Sequence, residues 1–287
     1  GGSRGMEQGI EMAASAAATP ALGAGRAQGG RPSQQDDLVC LVDEGARVHL
    51  LVLADGMGGD GAGELASAGV IEVAQRLWRE GRWRELPGAL FLEQLCQDAH
   101  LELRRRGERL VDAAPHATVV ALLLKGRTAH WAHVGDSRLY RFQRGRLLGC
   151  TEDHSVVQAR VRRGELSAEE AGRAADQHQL LRGLGGPMQP LVDHGCAPLR
   201  AGQEFALCSD GVWEQLSADE LGVFAARRDL QTAVSEALTQ VLTRAREAGD
   251  NAALILVRPA GAPPAWLARA ARWWSALRGA GRHIHPV

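Results

Sequence analysis

The stretch "LVLADGMGGDGAGELAS", residues 51–67, decides how the rest of the chain is read. A run of apolar residues stops on Asp55, a glycine-rich turn follows, and a helical pattern then begins. Glycines supply the positive φ that tight turns require, so a strand–turn–helix corner is one reading. The other is a cation site, with Asp55 as a ligand and bare main chain brought up beside it. Glycine-rich corners are common, and this segment alone favours the corner. The choice rests on whether other carboxylates recur in similar settings.

Working outward, "DLVCLVD" and "VHLLVLA" flank the turn "EGAR" and predict a hairpin of buried strands. Val70, Val73, Ala74 and Leu77 recur at helical spacing, which predicts a core-facing helix over 62–80. A second helix is expected at roughly 88–107, ending in the solvated run "RRRGER". "ATVVALLLKGRTAHWAHVGDSRLYRFQRGRLL" reads as a meander of three or four strands, broken at "KGR", "GDS" and "QRGR". Residues 155–185 are polar and predict an excursion over the surface. "EFALCSDGVWEQLS" repeats the opening pattern, with a strand stopping on Asp210 and a helix starting near Ser217. "DLQTAVSEALTQVLTRARE" is an amphipathic helix, and "GDNAALILVR" is a final strand with Asp250 at its mouth. Residues 7–30 carry little signal beyond a possible edge strand. Hairpin-length turns between strands imply antiparallel sheets with helices packed outside, in one domain.

Composition narrows the classes. The 287 residues are 45% hydrophobic and 23% charged, as in an ordinary globular protein. A net charge of −1, and no basic stripe interleaved with aromatics, argue against nucleic acid as partner. Five scattered cysteines form no C-x-x-C pair, so no zinc knuckle or disulfide framework is indicated and a cytoplasmic setting is expected. No apolar run approaches the ~20 residues needed to span a bilayer, and no signal-peptide core is evident. "GGSRG" before Met6 reads as a cloning remnant.

Four acidic residues share one setting: Asp36 precedes a strand, Asp55 and Asp210 end strands before glycine, and Asp250 begins one. Asp136, in "HVGDSR", sits at a strand break. Strand ends gather along one rim of a sheet, where residues distant in sequence meet. Packed carboxylates repel and raise one another's pKa, and divalent cations relieve this. Hard oxygen donors suit Mg²⁺ or Mn²⁺, and the absence of His/Cys clustering argues against zinc. Each aspartate taken singly is more often a turn former or cap; the repetition favours metal.

The ordered series "RPSQQDD", "ADGMGG", "AHVGDSRLYRF", "TEDHS", "LLRGLGG", "CSDGVWEQLS" and "GDNAALILV" resembles the metal-dependent protein serine/threonine phosphatases of the PPM class (protein phosphatase type 2C), bacterial branch. The resemblance covers roughly residues 25–258, leaving an N-terminal tail (1–24) and a C-terminal tail (259–287) outside it. It implies an α-β-β-α sandwich of α+β class and hydrolysis of phosphoserine or phosphothreonine esters by water activated at a binuclear Mn²⁺/Mg²⁺ centre. By motif, Asp55 corresponds to the bridging carboxylate and Gly56 offers its main-chain carbonyl to one ion. Asp210 and Asp250 complete the first ion's shell, Asp36 stands beside the second, and Asp136 belongs to a third, weaker site. Arg31 corresponds to the arginine that grips the substrate phosphate. "TEDHS" and the polar segment after it correspond to a flap beside the site. Phosphoproteins as substrates and a cognate Ser/Thr kinase follow as partners.

Several positions depart from the family pattern. Gln34 stands where Asn is usual, and "HAT" (116–118) and Ala252–Ala253 look like packing changes. Met57 falls where animal members carry a histidine proposed as general acid, and methionine cannot transfer a proton. His154 is a candidate donor, although a structural hydrogen bond is the stronger expectation. In the tail, Trp266, Ala270, Trp273, Trp274 and Leu277 fall near one helical face. That predicts a helix docked on its own domain, with partner docking or a membrane interface as rivals. Two other functions compete with the phosphatase: a non-catalytic module that binds phosphoproteins, and a two-metal phosphodiesterase.

Overall fold

Alternation along the strands builds the layers. In β4 (Val48–Met57), Val48, Leu50, Val52 and Ala54 pack under helices, while Leu51 and Leu53 turn to the opposite face. β12 (Ala252–Arg258) divides in the same way, sending Leu254 and Leu256 to one face and Ala253, Ile255 and Val257 to the other. Each sheet is thus apolar on both faces and needs a cover on each, which two stacked sheets between helix layers provide. The computed structural model, which describes residues 9–13, 21–59, 61–171 and 183–260, has this α-β-β-α arrangement.

One sheet runs β1 (Ile10–Met12), β2 (Ala21–Ala27), β12, β11 (Gln203–Cys208), β8 (Arg138–Gln143), β9 (Arg146–Cys150). The other runs β10 (Asp193–Pro198), β7 (Thr128–Val134), β6 (Val119–Lys125), β4, β3 (Asp36–Asp43), with β5 (His116–Ala117) added to the end of β4. Every named pairing is antiparallel. Helices α1 (Ala62–Glu80) and α2 (Gly88–Gly107) cover the second sheet. Helices α3 (Val156–Arg162) and α4 (Ala168–Ala171) belong to the surface excursion, whose residues 172–182 lie outside the described residues. The first sheet is covered by α5 (Asp210–Trp213), α6 (Ala218–Ala225) and α7 (Leu230–Ala245). Ser217 and Glu220 form a reciprocal capping box that starts α6, and Asp229 caps α7.

Three details differ from the sequence reading. β2 is an inner strand, and only β1 beside it is an edge. Its signal is weak because α7 presses on it: a Cβ at Gly23 would stand 2.1 Å from the carbonyl oxygen of Leu230. β4 continues two residues past Asp55, because β5 supplies hydrogen-bonding partners to Gly56 and Met57. Asp210 is the first residue of a helix: Ser209 leaves β11, and its carbonyl accepts from the N–H of Val212. The Trp/Arg-rich segment expected as a C-terminal helix falls at 261–287, outside the described residues.

The inter-sheet layer joins Leu51, Leu53, Leu122, Phe205, Leu207 and Ile255. Leu122→Ala, at the middle of that layer, should cost about 2–5 kcal/mol of folding stability. Denaturant midpoints check this; a loss below about 1 kcal/mol would contradict the packing.

Candidate metal centre

The β-ladder register sets the first pair of carboxylates. Asp36 and Asp55 are direct partners across β3 and β4. Asp55 follows Leu51 and Leu53 by the two-residue alternation, so it emerges at the rim of the inter-sheet layer. Asp36 shares that face with Leu38 and Cys40. Like charges directly opposite on a sheet are destabilising, so this pairing calls for compensation.

Other elements complete the cluster. Asp210 arrives on α5, and Asp136 on the turn between β7 and β8. One ligand atom each of Asp55, Asp136 and Asp210 lies within 4.8 Å of the others. Asp250 stands at the mouth of β12, where Oδ1 accepts from the Asn251 N–H at 2.7 Å and lies 3.4 Å from Arg31 Nε. Arg31 is the most exposed of these residues, its side chain 59% accessible. The structure therefore brings Asp36, Asp55, Asp136 and Asp210 together in the cleft and leaves Asp250 and Arg31 at the rim.

Gly56 is also under a packing constraint. A Cβ there would stand 1.8 Å from the carbonyl oxygen of Gly63, in the first turn of α1. Its missing side chain lets helix and strand touch. Gln35 takes part in the same contact, since its side-chain amide packs on Gly63.

Burial and mutual repulsion act on the carboxyls in the same direction. Asp36, 1% exposed, is pushed up to about 7, first by burial and then by the charges of Asp210 and Asp250, against a hydrogen bond from Ser209. Asp136 is pushed up to about 8 by burial, then by Asp210 and Asp153. Asp55 is held well above the usual carboxylate range by burial, with Asp36 and Asp210 adding to it. Glu214 stands at the mouth, and its carboxyl is pushed up to about 8 by desolvation, Asp210 and Asp250. Asp36 Oδ1 is buried with no hydrogen-bond partner among the described residues. Converging hard oxygens, one of them lacking a protein donor, fit a divalent cation of the Mg²⁺/Mn²⁺ kind.

Sequence reasoning passed over the residues that hold these acids in place. Ser209 donates from Oγ to Asp36 Oδ2 at 2.6 Å and accepts there from the Ala253 N–H at 2.9 Å. Thr118 accepts at Oγ1 from the Asp55 N–H at 3.1 Å, and its own N–H donates to the Asp55 carbonyl. Asn251 accepts from the Gln35 N–H and donates to the carbonyls of Gln28 and Ser33, pinning the loop that carries Arg31. Ser209 and Asn251 each adjoin an acid in sequence, whereas Thr118 stands in the "HAT" segment with none beside it.

A second convergence joins His133, His154 and Asp193. His154 Nδ1 accepts from the Gly135 N–H at 3.1 Å, so its proton is on Nε2, 2.6 Å from Asp193 Oδ2. His133 stacks on it with ring centroids 4.4 Å apart, and His133 Nε2 is 2.9 Å from the Glu152 carbonyl. Stacked rings cannot aim their in-plane lone pairs at one ion, and His154 has both nitrogens engaged. It is a structural hydrogen-bonding residue, as the sequence reading favoured.

Comparison with known proteins identifies the family. The family model described as "Protein phosphatase 2C" matches residues 22–255. The serine/threonine phosphatase stp of Listeria welshimeri is 32% identical over 219 residues, covering 72% of this chain and 83% of that protein. The crystal structure of the Mycobacterium tuberculosis serine/threonine phosphatase PstP/Ppp superposes with a TM-score of 0.75 at 25% identity, over 84% of this chain and 99% of that one. The catalytic domain of PstP in complex with two manganese ions gives 0.69, also at 25% identity, over 83% and 97%.

Raised carboxyl pKa values fix a sign for stability without metal. A folded-state pKa above the unfolded value means that the folded chain binds more protons, so stability falls as pH rises through the folded pKa values. With a chelator present, the melting temperature should therefore drop between about pH 5 and about pH 8, the window set by Asp36 and Asp136. Saturating Mn²⁺ should remove that slope, because it binds the ionised forms. A chelated protein that grows more stable over this range would contradict the buried-acid picture.

Proposed function

The chain belongs to the protein phosphatase 2C family, and from that premise we infer how its own residues carry out metal-dependent hydrolysis of phosphoserine and phosphothreonine esters in proteins. The observation that carries the reading is the meeting of Asp55, Asp136 and Asp210 from three separated segments at one rim of the inter-sheet layer. A basic groove for a nucleic-acid substrate is not supported by a net charge of −1. The full set of carboxylates speaks against a module that only binds phosphoproteins.

In this reading Asp55, Asp36, Asp210 and Asp250 would hold two ions, and Asp136 with Asp210 would hold a weaker third. Gly56 presents its main-chain carbonyl. Mn²⁺ or Mg²⁺, when bound, lowers the pKa of a water and offsets charge on the phosphoryl oxygens. The chain's contribution is placement. Thr118 holds Asp55 by its main chain, and Ser209 holds Asp36 Oδ2 with a proton donor. Arg31, at the solvent edge, offers a planar guanidinium to the substrate phosphate. With the cysteines outside a nucleophile setting and Cys96 and Cys208 buried, no covalent phosphocysteine is formed.

We also propose a cytosolic setting and a serine/threonine kinase acting upstream. Five free cysteines suit a reducing compartment. A kinase must supply the phosphoesters that such an enzyme removes.

Phosphate release from a phosphothreonine peptide should require Mn²⁺ or Mg²⁺ and stop on chelation. Asp55→Asn and Asp210→Asn should each reduce it by more than the roughly 10–100-fold typical of a residue that only supports a ligand. Undiminished release from either variant would remove the site assignment.

A further inference from the structure

Asp136, like Asp250 at the rim, is a carboxylate that no sheet or helix holds. β7 ends at Val134 and β8 begins at Arg138, so Asp136 hangs in the connection between them. Its backbone is nevertheless gripped from two sides. The indole Nε1–H of Trp213 donates to the Asp136 carbonyl at 2.9 Å. On the other side His154 holds Gly135 twice: the His154 N–H donates to the Gly135 carbonyl at 3.0 Å, and the Gly135 N–H donates to His154 Nδ1 at 3.1 Å.

The indole is itself fixed. The guanidinium of Arg138 stacks over the Trp213 ring, 3.8 Å from its centroid. Two donors of that guanidinium reach Asp153 at 2.9 and 2.7 Å, and a third reaches the Tyr140 hydroxyl at 2.9 Å. A buried indole N–H usually finds an acceptor, and here that acceptor is the backbone of a clustered carboxylate. The decisive point is where Trp213 sits: α5 opens with Asp210 and closes with Trp213. A four-residue rigid unit thus carries one carboxylate and bonds the backbone of the carboxylate facing it.

We propose that Trp213 is a positioning residue whose indole N–H fixes Asp136 relative to Asp210 and so sets how tightly a divalent cation is held between these two carboxylates. The proposal rests on the reading of Asp136 and Asp210 as ligands. Outer partners that orient ligands govern affinity in this way, and their loss usually costs 10–100-fold.

The test is Mn²⁺ binding to the full chain, followed by titration calorimetry after chelator treatment, in the parent, Trp213→Phe, Asp136→Asn and the double variant. Phenylalanine keeps a ring under Arg138 and removes only the N–H. Trp213→Phe should weaken the weaker class of Mn²⁺ sites by about 10–100-fold, and should add nothing once Asp136→Asn is present. Parent-like binding by Trp213→Phe, with Asp136→Asn still weakened, overturns the positioning role and leaves the ligand reading intact. Parent-like binding by both single variants overturns the ligand reading and the proposal with it. Should Trp213→Phe fail to fold, the unmutated protein carries the test. Its Trp213 indole ¹⁵N–H resonance should shift during Mg²⁺ titration with the midpoint of the weaker site, and an unmoved resonance overturns the proposal.

Discussion

The repulsion among buried carboxyls at the inter-sheet rim is the constraint that organises this molecule. Asp36 and Asp55 face each other across one ladder, and Asp210 adds charge to both. Among the described residues no arginine or lysine pairs with the carboxylate of Asp36 or Asp55; Arg26 reaches only the main-chain carbonyl of Asp36. Without metal, protons are the available neutralisers, and burial drives the carboxyls to take them. A fold that gathers acids without matching bases is arranged for a cation that is not part of the chain.

Rigid surroundings make that arrangement sustainable. The sheets are packed on both faces, so the strand ends cannot splay to relieve the repulsion without exposing Leu53, Val120 or Leu207. Helix α1 bears on β4 at Gly56, with no room for a side chain between them. Ser209 joins Asp36 to β12, which is also the strand that follows Asp250. Burial energy in the layers therefore offsets the electrostatic cost at their rim, as expected where a functional site stores strain.

Period-two and helical patterns made the layers legible: α1, α2 and α7 were readable from apolar spacing, and the meander from its turns. Asp55 and Asp36 were legible as acids at strand positions, but their direct pairing was not, because register depends on hairpin geometry. Asp210 was misread as a strand end. The apolar run "FALC" signals β11, yet nothing local distinguishes a strand's last residue from the first turn of a short helix. β2 was nearly silent because close approach to α7 requires small side chains, and Ala and Gly carry no periodic signal. Ser209, Thr118, Asn251 and Trp213 act through contacts with distant segments, and such contacts leave no mark on spacing along the chain.

Two arginines show how burial separates chemically identical groups into different roles. Arg138 is three-quarters covered, stacked on Trp213 and bonded through two donors to Asp153, whose side chain is 11% accessible. Releasing it would leave a shielded carboxylate without its partner, which is costly. Arg31 makes one long contact with Asp250 at an open rim. An exposed ion pair of that kind contributes little, because water screens it. It can exchange its carboxylate for a phosphoryl group at small cost, and the phosphoryl group offers a better match to its planar donors. Solvent access, more than residue type, separates the two: under the proposed function Arg31 is open to an incoming phosphate, and Arg138 belongs to the buried framework around Trp213.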